Sequence, residues 1–224
     1  MATARLFYDW DWAGAEASFK KAIELNPGDA MAHLHFSQFL SLIGKHEKAI
    51  EEAKYAEELI PLSPVTSYYI GQAFYMSRQY DQAAQEMNKA LEFDNNFIPA
   101  LNLYGYIHFL GGRPKDTLAM WGKMHDITGR KELASAFSVL NFKEAMHKWL
   151  ELSETPGGAF CLKAATYALV YMFLEDIDEA FNWFERAYIE RDTALVFFKM
   201  DPAYDPIRSD PRFQDLIRRM NFPE

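Results

Sequence analysis

The sequence predicts an all-α fold, a solenoid of stacked antiparallel helix pairs closed by a C-terminal capping helix. Three observations carry that expectation. A small residue, a larger or variable one four further on and an alanine three beyond that recur at Ala15, Phe19, Ala22; Ala49, Ala53, Ala56; Ala83, Met87, Ala90; and Ala180, Phe184, Ala187. The first three sets are spaced by 34 residues, and the next step lands on Thr117 with Trp121 in the large slot. A second series, Ser37, Gly71 and Gly105, keeps the same interval one helix upstream. Breaks rich in Gly, Pro, Asn and Asp separate the helical runs, as at "NPGDA", "PLSP", "DNNF" and "GGRP".

Each choice of residue has a physical reason. Small side chains at a helix crossing let two backbones approach, and larger neighbours then fill the grooves beside them. A single helix pair cannot bury its apolar face alone, whereas a stack of pairs can. Asp176 with Glu179 reads as a capping box opening the helix of Ala180. Gly112 suits a left-handed C-terminal cap and Pro114 a first helical position. After Met124 the register slips, because Ala145 lies only 28 beyond Thr117, which implies a shortened first helix; Ala180 then follows Ala145 by 35.

One solenoid domain over 1–224 is expected: a partial first repeat 1–29, repeats 30–63, 64–97 and 98–125, an irregular repeat and bend 126–160, a repeat 161–194 and a tail 195–224. In the tail, Asp210 should cap a helix starting at Pro211, whose Phe213, Leu216, Ile217 and Met220 form one apolar face to cover the final repeat.

The pattern resembles the tetratricopeptide repeat, whose Gly slot is filled by Gly71 and Gly105 and whose closing proline is filled by Pro27 and Pro61. Asn95 and Asp192 replace that proline, Thr117 replaces an alanine, and no tryptophan occupies the opening slot. The resemblance implies a right-handed superhelix in which the first helix of each pair lines a concave groove. The groove residues would be Leu34, Gln38 and Ser41, then Tyr68, Gln72 and Tyr75, then Asn102, Tyr106 and Phe109. Tyrosines among amides offer flat apolar contact with polar tips, a mixture suited to a protein or peptide partner. No Lys or Arg stands at these positions, so the carboxylate clamp of some relatives is not expected. The opening and the tail also resemble repeat regions at the C-terminal ends of bacterial multidomain proteins, which implies an alternative role as the sensor segment of a larger signalling or transcription-regulating protein.

Composition narrows the function. A net charge of −9 over 224 residues disfavours nucleic acid, whose binding runs on clustered cations. No apolar stretch reaches membrane-spanning length and the N-terminus lacks a signal-peptide core, so a cytoplasmic location is expected. Cys161 stands alone between Phe160 and Leu162 and reads as a buried structural thiol, with no disulfide and no cysteine metal site. No catalytic constellation, metal site or cofactor motif emerges: "HEKAI" lacks a second His, and His33 and His35 point different ways on one helix. In "YDWDW", a calcium loop starting at Asp9 would need an acid at its twelfth position, which is Lys20. Asp11 should instead cap the following helix. The repeat frame places the start of this unit before Met1, so the opening reads as half a repeat. Its Leu6, Phe7 and Trp10 would leave an apolar end for end-to-end homodimerisation, unless the chain comes from a longer protein.

Overall fold

The structure, a computed structural model, describes residues 1–154 and 162–223; Cys161 and the break at 155–158 lie outside the described residues. Among the described residues there is no strand, and no helix is long and apolar enough to cross a membrane.

The chain divides into two compact units, Met1–Leu103 with Val196–Glu224, and Tyr104–Leu195. In the first, a short α1 (Ala2–Ala4) passes into a π-helical turn (Arg5–Asp9) that stops at Trp10 in the left-handed region, φ 53°. Asp11 then caps α2 (Trp12–Leu25), its carboxylate accepting from the Gly14 amide at 2.9 Å. The pairs that follow are α3 (Ala30–Leu42) with α4 (His46–Leu59) and α5 (Pro64–Met76) with α6 (Tyr80–Phe93). Their connections are so short that the members of a pair must run antiparallel. α7 (Ile98–Leu110) begins in the first unit and ends in the second.

The repeated small residues meet at the crossings. Ala15, Ala49, Ala53, Ala56, Ala83 and Ala90 are fully buried. Ser37 uses its position to donate from Oγ to the Ala49 carbonyl at 2.7 Å. A Cβ on Gly71 would stand 2.4 Å from Met87 Cε, so the end of that flexible side chain would have to shift to admit it.

The second unit holds α8 (Pro114–Ile127), α9 (Lys131–Val139), α10 (Phe142–Glu154), α11 (Ala164–Phe173) and α12 (Ile177–Ile189). Its core gathers around Trp121, Phe137, Trp149 and Val170. α9 has 9 residues against 13 in α3. Phe109 of α7 lies against Phe173 of α11, ring centroids 4.6 Å apart. Asp192, in a slot where the repeat pattern has proline, accepts from the Ala165 and Ala194 amides at 3.1 Å each and ties the start of α11 to the chain beyond α12.

The tail is where the structure departs from the single-domain expectation. A 3₁₀ turn (Pro202–Ile207) and α13 (Pro211–Arg219, capped by Asp210) join the first unit. Phe198, Phe213 and Leu216 are buried, and the Trp12 indole N–H donates to the Met220 carbonyl at 3.1 Å, bridging 208 residues of sequence. Trp12 also packs on Phe222 at 4.5 Å and Phe7 on Phe197 at 6.3 Å. Leu6 and Trp10 are likewise buried, so these residues form no open apolar end of the kind expected for homodimerisation. Two separate cores form because the tail's aromatic residues find partners at the opening of the chain, while Trp121 and Trp149 collect their own neighbours.

Two outcomes follow for stability. Alanine at Gly105 would put Cβ 2.1 Å from Nε1 of fully buried Trp121, whereas at Gly71 the obstacle is the flexible end of Met87. In urea unfolding, Gly105→Ala should cost about 1–3 kcal/mol and more than Gly71→Ala; equal costs would contradict the rigid crossing. His125 is fully buried, edge-on to Phe137 and Trp149 at 5.3 Å each, and among the described residues neither ring nitrogen has a hydrogen-bond partner. Burial, with Arg130 adding to it, pushes its pKa down to about 4. Its folded pKa lies below the unfolded value of about 6.5, so the stability it permits is complete above pH ~6.5 and lost as pH falls toward 4. The loss should reach about 3 kcal/mol for the second unit, and His125→Leu should remove that slope from denaturant midpoints measured across this range.

Candidate functional site

The first helices of successive pairs bring polar groups together at intervals of one repeat. Gln38 on α3 donates from Nε2 to Gln72 Oε1 on α5 at 2.9 Å, and Gln72 donates from its own Nε2 to the Tyr68 hydroxyl at 3.0 Å. The result is a directed relay, amide to amide to phenol. Among the described residues no acceptor receives the proton of the Tyr68 hydroxyl. Burial, with Tyr69 and Asp201 nearby, raises the Tyr68 pKa well above the usual phenol value, so the group stays a neutral donor. Its ring lies edge-on to Tyr69 at 5.3 Å and to Phe97 at 6.1 Å. Beside the relay, the Tyr69 hydroxyl meets His35 Nδ1 at 3.2 Å, and burial lowers the His35 pKa so that the ring is neutral.

The residues expected in the groove fall into three groups. Gln38 and Tyr68 are half-buried and Asn102 is exposed, all within the first unit. Leu34, Gln72 and Tyr75 are buried: Leu34 against Ala53, Ala56 and Ile70, Gln72 within the relay, and Tyr75 with its hydroxyl donating to Asp201 Oδ1 at 2.7 Å. Ser41 is buried too. Tyr106 and Phe109 belong to the second unit, where Tyr106 stands edge-on to Trp121 at 5.2 Å and Phe109 stacks on Phe142 at 5.3 Å.

Asp201 and its neighbours escaped the sequence reading. Asp201 also accepts from the Ala203 amide at 2.9 Å, while burial raises its pKa against the pull of these donors. One turn on, Arg78 grips Asp205 with two prongs, at 2.8 and 3.2 Å. Asp205 is held below the usual carboxylate range by Arg78 and Arg208, which outweigh its partial desolvation. The Asp-Pro steps were legible as caps and turns, but nothing local in them points to a tyrosine 126 residues away.

Among the described residues, no group of three or more His, Cys, Asp or Glu could hold a metal ion. The class defined by the fold is an α-helical repeat protein. A tetratricopeptide repeat family model matches residues 18–51, which span the end of α2, all of α3 and the start of α4. The chain is 32% identical over 84 residues to the small glutamine-rich tetratricopeptide repeat-containing protein 2 of Mycosarcoma maydis, an alignment taking in 38% of this chain and 24% of that one. It thus spans about a quarter of the length of the curated relative it matches. Among solved structures it is similar to pilF of Pseudomonas aeruginosa, with a TM-score of 0.51 and 14% identity over 93% of this chain and 90% of that one. It is also similar to MamA, with a TM-score of 0.46 and 20% identity over 81% and 88%. Residues 18–51 are thus similar to a tetratricopeptide repeat, and the helix pairs beside them keep the same 34-residue interval.

The Tyr75–Asp201 contact is checked by a double-mutant cycle. Tyr75→Phe and Asp201→Asn should each lower unfolding stability, and their coupling energy should be about 1.5–3 kcal/mol, as for a hydrogen bond to a charged group. Coupling near zero would mean the tail is held by packing alone.

Proposed function

We propose that this chain is a non-catalytic scaffold for protein–protein interaction, taking a peptide or a partner's extended segment along the first-helix face of its first unit. The observation that carries this reading is the relay from Gln38 through Gln72 to Tyr68, which ends in a neutral phenol donor. The Tyr68 hydroxyl, whose proton has no acceptor among the described residues, is a donor that a peptide carbonyl could satisfy, offsetting a desolvation cost already incurred. Exposed Asn102 stands on the same face one repeat further on.

Leu34, Gln72 and Tyr75 are buried and are not offered to the partner. Tyr106 and Phe109 give the second unit half-buried aromatic contacts of its own. The acidic sequence favours protein over nucleic acid, and with one cysteine in 224 residues we place the scaffold in the reducing cytoplasm.

The test uses a partner isolated by pull-down and identified by mass spectrometry. Asn102→Ala, a change at an exposed position, should weaken its binding about fivefold, and Tyr68→Phe about tenfold, with unchanged unfolding midpoints showing that the fold is kept. Calorimetry showing unchanged affinity in both variants would remove the assignment.

A further inference from the structure

At one slot of the repeat the chain accepts backbone strain. Gly44, Arg78 and Gly112 stand 34 residues apart at the ends of their helices, with φ of 79°, 63° and 67°. The repeats on either side place glycine in this left-handed slot, and Arg78 occupies it at a cost that glycine does not bear. Its fork onto Asp205 joins side chains that are 41% and 40% exposed, and an ion pair so open to water contributes little. The strain therefore serves something beyond that pair.

Arg78 opens onto a pocket of ≈ 330 Å³ within the first unit. Lys199 and Arg208 line it with Arg78, and Met200, Phe213 and Ile217 supply its apolar surface. Ile217 is the member of the apolar face of α13 that stays half-exposed, while Phe213, Leu216 and Met220 are buried. Arg208 lies over the Phe213 ring at 5.7 Å, which sets charge and apolar surface side by side. Among the described residues these three cations bond to one carboxylate between them, Asp205, which accepts from Arg78 at 2.8 and 3.2 Å and from Arg208 Nε at 2.5 Å. The Asp201 carboxylate turns instead to Tyr75 and the Ala203 amide. Their other bonds go to uncharged main-chain carbonyls: Arg78 to Met76, Arg208 to Lys199 and Asp201, and Lys199 to Pro223. A guanidinium bonding once from each nitrogen still has a second N–H on each terminal nitrogen, and an ammonium with one acceptor has N–H groups to spare.

We propose that this pocket binds a small organic anion, a carboxylate or phosphate head carried on a compact apolar body. The head meets Arg78, Arg208 and Lys199 and balances their excess charge, since paired guanidinium N–H groups match either oxyanion. The apolar body lies on Met200, Phe213 and Ile217. A cavity of about 150 Å³ holds benzene, so this one takes a single ring together with its head. On a chain of net charge −9 the attraction is local to the pocket and owes nothing to the overall field.

The test titrates the full chain with phenylacetate, phenyl phosphate and inorganic phosphate, followed by NMR at the side-chain amide of Gln214, which also lines the pocket, and at the methyls of Met200 and Ile217. Saturable shifts are expected with at least one of the two aromatic anions, and the tighter one identifies the head. Arg78→Gly, which restores the glycine of the neighbouring repeats, should weaken that binding at least about tenfold while the unfolding midpoint holds or rises. Ile217→Asp, at a half-exposed position, should weaken it about tenfold with the midpoint unchanged. Arg212→Gln removes a cation of the same helix outside the pocket and should leave the affinity as it is. Absence of saturation by either aromatic anion, affinity kept in Arg78→Gly, or an equal loss in Arg212→Gln would overturn the proposal. So would inorganic phosphate binding as tightly as phenyl phosphate, which would mean an adventitious ion only.

Discussion

Close approach of paired helices is the constraint on which everything else in this molecule rests. Gly71 lies against Met87 and Gly105 against Trp121 so closely that a Cβ at either would force its neighbour to shift, and the alanines of α2, α4 and α6 that face these crossings are fully buried. Because the backbones touch, the angle between paired helices is set by shape and repeats with the sequence. Groups 34 residues apart then come to rest side by side. Gln38 bonds Gln72 and His35 meets Tyr69 for that reason alone. The proposed binding face is thus a by-product of the packing rule, since any polar residue placed once per repeat becomes part of a row.

A second constraint works against openness. Trp12 and Tyr75 each donate to the C-terminal segment, one to a backbone carbonyl and one to a carboxylate, and Arg78 adds a bidentate pair. These bonds fix the tail within the first unit and bury tyrosine surface that the repeat pattern alone would have left to a ligand. What remains accessible is narrower and more polar than a tyrosine-rich groove: two half-buried side chains, Gln38 and Tyr68, and exposed Asn102.

Much of the fold was legible in the sequence because its determinants are local or periodic. The 34-residue interval, the caps at Asp11, Asp176 and Asp210, the turn at Gly112 and the shortened helix near Leu133 all follow from residues a few positions apart. The relay was half legible: its members could be named from the frame, but their mutual bonds depend on rotamers that spacing does not specify. The docking of the tail was not legible at all. Tyr75 and Asp201 are 126 residues apart, and the apolar face of α13 would have suited any apolar end of any unit. The opening "YDWDW" shows both cases at once, since Asp11 is a cap by local rule while Trp12 is a long-range partner that only the folded chain reveals.

Side-chain amide resonances offer the most direct test of the central claim, that the first-helix face of the first unit is the recognition surface. In nitrogen-edited NMR spectra of labelled protein, adding a purified partner should shift the amides of Gln38 and Asn102 while leaving Gln82 and Asn88, on the solvent side of α6, in place. Shifts confined to Gln82 and Asn88, with Gln38 and Asn102 unmoved, would contradict it.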